Sequence, residues 1–105
     1  MVQRDPITLE RVKAVLSQLC EIAPGKSVEV RVPPYAAVQC VDGLTHRRGT
    51  PPNVVEMEAP VLFQLASGEI SWKQGIESGL ITATGGRSDI GHLFDELVKE
   101  TRMTK

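Results

Sequence analysis

Apolar side chains recur every three or four positions from Leu9 through Val12, Leu16 and Leu19 to Ala23, with Val15 and Ile22 widening the stripe. That period is helical and predicts a helix over residues 8–22 with one buried face. Thr8 stands where a hydroxyl can cap the first turn, and Pro24-Gly25 ends the helix. The period then changes to two. In Val28-Glu29-Val30-Arg31-Val32 the valines face a core and the charges face water, the pattern of a half-exposed antiparallel strand. Pro33-Pro34 cannot continue a ladder, so residues 36–41 are read as the returning strand of a hairpin.

Residues 42–52 follow no period, and 53–57 form a third strand. Pro60 suits the first turn of a helix, Val61, Leu62, Leu65 and Ala66 share one of its faces, and Gly68 stops it. Ser71 with Gln74 three residues on fits a capping box and opens a second short helix, stopped by Gly79. A fourth strand over 80–84 ends at Gly85-Gly86. Ser88 or Asp89 then caps a last helix over 89–99, where Ile90, Leu93, Phe94 and Leu97 share a face. Lys99, Arg102 and Lys105 oppose the dipole at its C-terminal end.

The order α-β-β-β-α-α-β-α predicts an α+β domain, with a small, mostly antiparallel sheet of four to five strands and helices packed on one face. An up-down-up meander followed by a strand–helix–helix–strand crossover would set the fourth strand beside the first. One domain is expected over residues 1–105, with looser ends at 1–7 and 100–105.

Composition narrows the function. The 105 residues are 41% apolar and 24% charged with a net charge of −1, which carries no nucleic-acid footprint. Aromatics at 4% argue against base stacking. No window reaches the roughly 18 apolar residues of a membrane span, so stable membrane insertion is not expected. No apolar run follows the charge in Met1-Val2-Gln3-Arg4-Asp5-Pro6, so no secretory leader is expected and a cytoplasmic placement is. Cys20 and Cys40 read as reduced core thiols, since neither has partners at metal or disulfide spacing.

Residues 65–85 are the most informative stretch. They run helix, glycine stop, short amphipathic helix, glycine stop, strand, glycine turn, and they hold no nucleophile, acid–base pair or metal cluster. This stretch resembles the signature of the sterol carrier protein family. Together with residues 27–34, 37–41, His46 and 48–56 it is similar to the small single-domain bacterial branch, and the resemblance covers roughly 27–97. Gly75 departs from it, standing where members usually have alanine, and a mid-helix glycine costs about 1 kcal/mol. So does the polar tail that runs on to Lys105. The resemblance implies helices enclosing an apolar tunnel over a sheet, and a lipid or other apolar small molecule as ligand.

Phe63, Trp72, Ile76, Leu80, Phe94 and Leu97 are the expected lining or lid of such a cavity, against the plainer reading of core fillers. Trp72 leads the set because an indole opening a short helix can cover a pocket while its N–H meets water. The segment His46-Arg47-Arg48-Gly49 is the local basic cluster. His46, Arg47, Arg48, Thr50 and Asn53 form a possible polar or docking loop for an anion or protein partner. The plainer reading makes Arg48 a tether for a carboxylate such as Glu56 and leaves Arg47 exposed. Gly85-Gly86-Arg87-Ser88-Asp89 could cradle an anion before the last helix, but a turn and a cap explain it as well. His46 and His92 lack metal-ligand spacing, and Cys40 near His46 lacks a third orienting group. The expectation is therefore non-catalytic binding or carriage of a lipid or apolar small molecule, with no cofactor and no metal. The alternative is an accessory module of the same fold that docks a protein through residues 46–53.

Overall fold

The computed structural model describes residues 5–43 and 53–103. Helix α1 (Pro6–Ile22) leads into strands β1 (Val28–Val32), β2 (Ala36–Cys40) and β3 (Asn53–Met57). Helices α2 (Ala59–Ser67) and α3 (Trp72–Glu77), strand β4 (Ile81–Thr84) and helix α4 (Gly91–Met103) follow. The α+β order matches the expectation from periodicity, and small shifts at the ends have local causes. Asp5, not Thr8, caps α1. Its Oδ2 accepts from the Thr8 backbone N–H at 3.1 Å and the Thr8 hydroxyl at 2.7 Å, and Pro6 occupies the first turn. Strand β2 stops at Cys40 because Val41 turns to φ 68°, a left-handed conformation costly for a β-branched residue. Helix α4 starts at Gly91, whose N–H donates to Asp89 Oδ1 at 3.0 Å, and continues to Met103.

The strand order is β2-β1-β3-β4. Strand β1 pairs antiparallel with β2 and parallel with β3, and β3 pairs antiparallel with β4. The expected meander, with β4 beside β1, is therefore corrected. Both Cys40 and Asn53 stand level with Val28, on opposite sides of it. The chain leaving β2 must step across β1, two strand spacings or about 10 Å, before β3 can begin. The two helices after β3 return the chain antiparallel to it, so β4 takes the free edge of β3.

Alternation along the strands sorts the two faces. Val28, Val30, Val32, Cys40, Val55, Met57 and Ile81 are buried under the helices. Glu29, Arg31, Ala37, Gln39, Glu56 and Thr82 lie on the other, open face, where Arg31 pairs with Glu29. Val12, Leu16 and Leu19 of α1, Leu62 and Leu65 of α2, and Ile90, Leu93, Phe94 and Leu97 of α4 complete the core. Fully burying each such aliphatic side chain contributes about 1.5–3 kcal/mol. Asn53 fastens the sheet to the approach to α4: its Nδ2 donates to the Ser27 carbonyl at 2.8 Å, and its Oδ1 accepts from the Arg87 N–H at 2.8 Å.

Candidate functional site: a groove between α2, α3 and α4

The capping box at the start of α3 is formed from both sides. Ser71 Oγ accepts from the Gln74 N–H at 3.0 Å, and Gln74 Oε1 accepts from the Ser71 N–H at 2.8 Å. It holds this six-residue helix in place although Gly75 is its only buried residue. Gly75 is buried because Ile81 lies over it: a Cβ there would stand 2.4 Å from Ile81 Cδ1. Gly75 thus makes room for β4.

The first residue of α3, Trp72, is aimed at α4. Its ring stacks on Phe94 with centroids 6.0 Å apart and planes 21° apart, an offset geometry favourable for aromatic pairs. This pair forms part of a groove of about 350 Å³, with Leu65, Ile70 and Val98 completing its apolar surface. Asp95, Lys99 and Arg102 line it along α4. The volume lies at the lower end of small-molecule sites, roughly 300–1,000 Å³.

Of the six apolar residues nominated from sequence, the fold brings Trp72 and Phe94 together here. Leu97 is 1% exposed and belongs to the core. Ile76 and Leu80 are exposed, at 38% and 46%, on the outer side of α3 and the turn after it. Phe63 lines a different groove of about 390 Å³ beside α1, where the Arg11 guanidinium lies 4.1 Å from the ring centroid. Sequence reasoning missed Ile70, Val98, Lys99 and Arg102. The signal was the stripe Phe94, Asp95, Val98, Lys99, Arg102, whose spacing puts all five along one side of α4.

His46, Arg47, Arg48 and Thr50 lie outside the described residues. Asn53, grouped with them on sequence, is 4% exposed and commits both ends of its amide to the interior bonds given above. Gly85 and Ser88 form a turn, Ser88 Oγ donating to the Gly85 carbonyl at 2.8 Å, before the Asp89 bond to Gly91.

The electrostatics of the thiols oppose nucleophilic chemistry. Burial, with a smaller contribution from Cys20, pushes the Cys40 thiol up to about 11, and burial raises Cys20 as well. Cys20 donates a weak bond to the Gln39 carbonyl at 3.4 Å. No three His, Cys, Asp or Glu side chains among the described residues converge as metal ligands. No helix among them is long and apolar enough to cross a membrane.

A sheet open on one face, helices on the other and a groove among those helices, lined by both apolar and charged side chains, make this a small α+β domain. A family model described as "Bacterial SCP ortholog" matches residues 4–95, and the chain belongs to that family of bacterial sterol carrier protein orthologues. The fold is similar to a solved structure titled "UbiJ-SCP2 Ubiquinone synthesis protein", with a TM-score of 0.55 and 16% identity over 97% of this chain and 98% of the other. A sterol carrier protein-2 like-3 from Aedes aegypti aligns with a TM-score of 0.42 and 16% identity, over 89% of this chain and 98% of that one. No curated protein matches it.

Proposed function

We propose that this protein binds and carries an apolar small molecule or lipid chain without chemically transforming it, in the groove between α2, α3 and α4. The observation that carries this reading is Trp72, which stacks on the buried Phe94 yet stays half-buried, leaving its indole on the groove instead of sealing it into the core. Aromatic and aliphatic walls with a few polar groups at the edge are how small-molecule sites are built. Family membership supports the carrier reading, and a fold neighbour named for ubiquinone synthesis shows this fold in a protein of a biosynthetic pathway. The raised thiols point the same way, since an activated nucleophile needs a lowered pKa.

Trp72 is the single tryptophan of the chain and reports directly on occupancy. Titration with a medium-chain alcohol or a fluorescent fatty acid is expected to shift or quench its emission with micromolar affinity. Native mass spectrometry of protein purified from its own host is expected to show a co-purifying lipid. If no apolar ligand binds by emission or by calorimetry, the carrier reading fails. If ligands bind while Trp72 emission stays unchanged, the site lies elsewhere in the fold.

A further inference from the structure

The two edges of the sheet are finished differently. At the β2 edge, Pro33 and Pro34 precede the strand and the end of α1 lies against its far end. There the Ala23 carbonyl accepts from the Val41 N–H at 2.7 Å, and the Cys20 thiol donates to the Gln39 carbonyl at 3.4 Å. Prolines and covering segments are how folded proteins keep a sheet edge from pairing with another chain. The β4 edge has neither. Residues 80–86 hold no charge and no proline, and among the described residues no backbone group bonds to the outer side of β4. Every second residue of that strand therefore turns an N–H and a C=O outward.

The flank of this edge is apolar. Ile76 and Leu80 are exposed beside it, two of the three large hydrophobic side chains so placed among the described residues. Helix α3, which precedes the strand, buries only Gly75. Its exposed Lys73 and Glu77 stand one turn apart, and neither forms an ion pair among the described residues. A chain laid along this edge would supply the burial that α3 lacks.

A second copy of this chain fits that surface. Pairing β4 with itself, antiparallel about a twofold axis, sets no charge against its own image, because the strand carries none. The same axis reverses the direction of α3. Lys73 of each copy then lies toward Glu77 of the other, and the exposed aliphatic side chains of the two copies cover one another. A strand of unrelated sequence would meet the same backbone groups without this reciprocal match of charge.

We propose that β4 is a dimerisation edge, across which two copies join their four-stranded sheets into one, with Lys73, Ile76, Glu77 and Leu80 fixing the pairing. The four residues of β4 make a small interface, so the dimer should be weak and exchange freely. Because α1 and the prolines guard the β2 edge, association should stop at two copies. This goes beyond the carrier reading and does not depend on it.

Sedimentation equilibrium of the full chain, from micromolar to millimolar concentration, is expected to show monomer giving way to dimer with no larger species. Across the same range, amide hydrogen exchange should slow at Ile81–Thr84 and stay unchanged at Ala36–Cys40. Lys73→Glu and Glu77→Lys should each weaken the dimer about fivefold or more, the factor for one exposed ion pair, and less so in high salt. The double variant, which exchanges the two charges, should regain the parent's affinity. An equimolar mixture of the two single variants should associate more tightly than either alone, a gain that a role within one chain would not produce.

A chain that stays monomeric at millimolar concentration overturns the proposal. So does a dimer whose slowed exchange falls outside β4, or one to which neither the double variant nor the mixture brings any gain over the single variants. Growth into species larger than a dimer overturns the closed twofold pairing.

Discussion

Gly91 gives up its side-chain space to Trp72. A Cβ on Gly91 would lie 2.8 Å from Trp72 Cγ and 2.9 Å from Trp72 Cβ, the least movable atoms of that side chain. The first turn of α4 therefore decides where the indole rests, and with it the wall of the groove.

Gly91→Ala should displace the indole. Overpacking of this kind costs about 1–3 kcal/mol, against a gain of up to about 1 kcal/mol from alanine's better helix propensity. The expected outcome is a net loss of stability in denaturant melts, together with a shift of Trp72 emission in the unliganded protein. A variant with unchanged emission would show that the contact is not tight in solution.

Asn53 separates architecture from docking. Asn53→Ala leaves the Ser27 carbonyl and the Arg87 N–H without their partner, and unpaired buried groups cost about 1–3 kcal/mol each. A loss of about 2 kcal/mol or more is expected. Asn53→Asp keeps the acceptor for Arg87 but turns a carboxylate oxygen toward the Ser27 carbonyl, so it should be less stable at pH 7 than at pH 4. Equal midpoints for the parent and Asn53→Ala would return Asn53 to the list of exposed loop residues.

Gly75 and Ile81 should be coupled. Gly75→Ala drives a methyl against Ile81 Cδ1, and Ile81→Val removes that atom at a cost of about 0.5–1.5 kcal/mol. In a double-mutant cycle the pair is expected to lose less stability than the two single variants summed, by about 0.5 kcal/mol or more. Strict additivity would mean that the helix shifts instead of pressing on the strand.

The thiols make stability fall on the alkaline side. An unfolded cysteine ionises near about 8.5, whereas Cys40 in the fold is pushed up to about 11. Between those values the folded chain keeps a proton that the unfolded chain releases, so the stabilisation is full below the lower value and is lost as pH rises toward the upper one. Urea midpoints should drop from pH 7.5 to pH 10, and drop less in Cys40→Ala. The same burial should make Cys40 slower than Cys20 to alkylate with iodoacetamide at pH 8, which peptide mapping would reveal.

Local chemistry was legible wherever cause and effect sit a few residues apart. The capping box of Ser71 and Gln74, the stop at Gly68 and the alternation in β1 needed only neighbouring residues, and each is found as its pattern implies. The groove was half legible. Trp72 and Phe94 stood out as large apolar residues, but nothing local distinguishes them from Leu97, which faces the core one turn further along α4. Lys99 and Arg102 read as dipole partners because the groove they border depends on how α2 and α3 pack against α4.

By itself the sequence determined the order and kind of elements, which helix faces are buried, and membership of the bacterial sterol carrier orthologues, because periodicity, caps and motifs are written in adjacent residues. Only the tertiary structure decided that β3 runs parallel to β1 with β4 outside it, since pairing depends on where the chain crosses the sheet and alternation is blind to neighbours. Packing alone set Trp72 on Phe94 and Ile81 over Gly75, because van der Waals contact is made between side chains that no local pattern brings together.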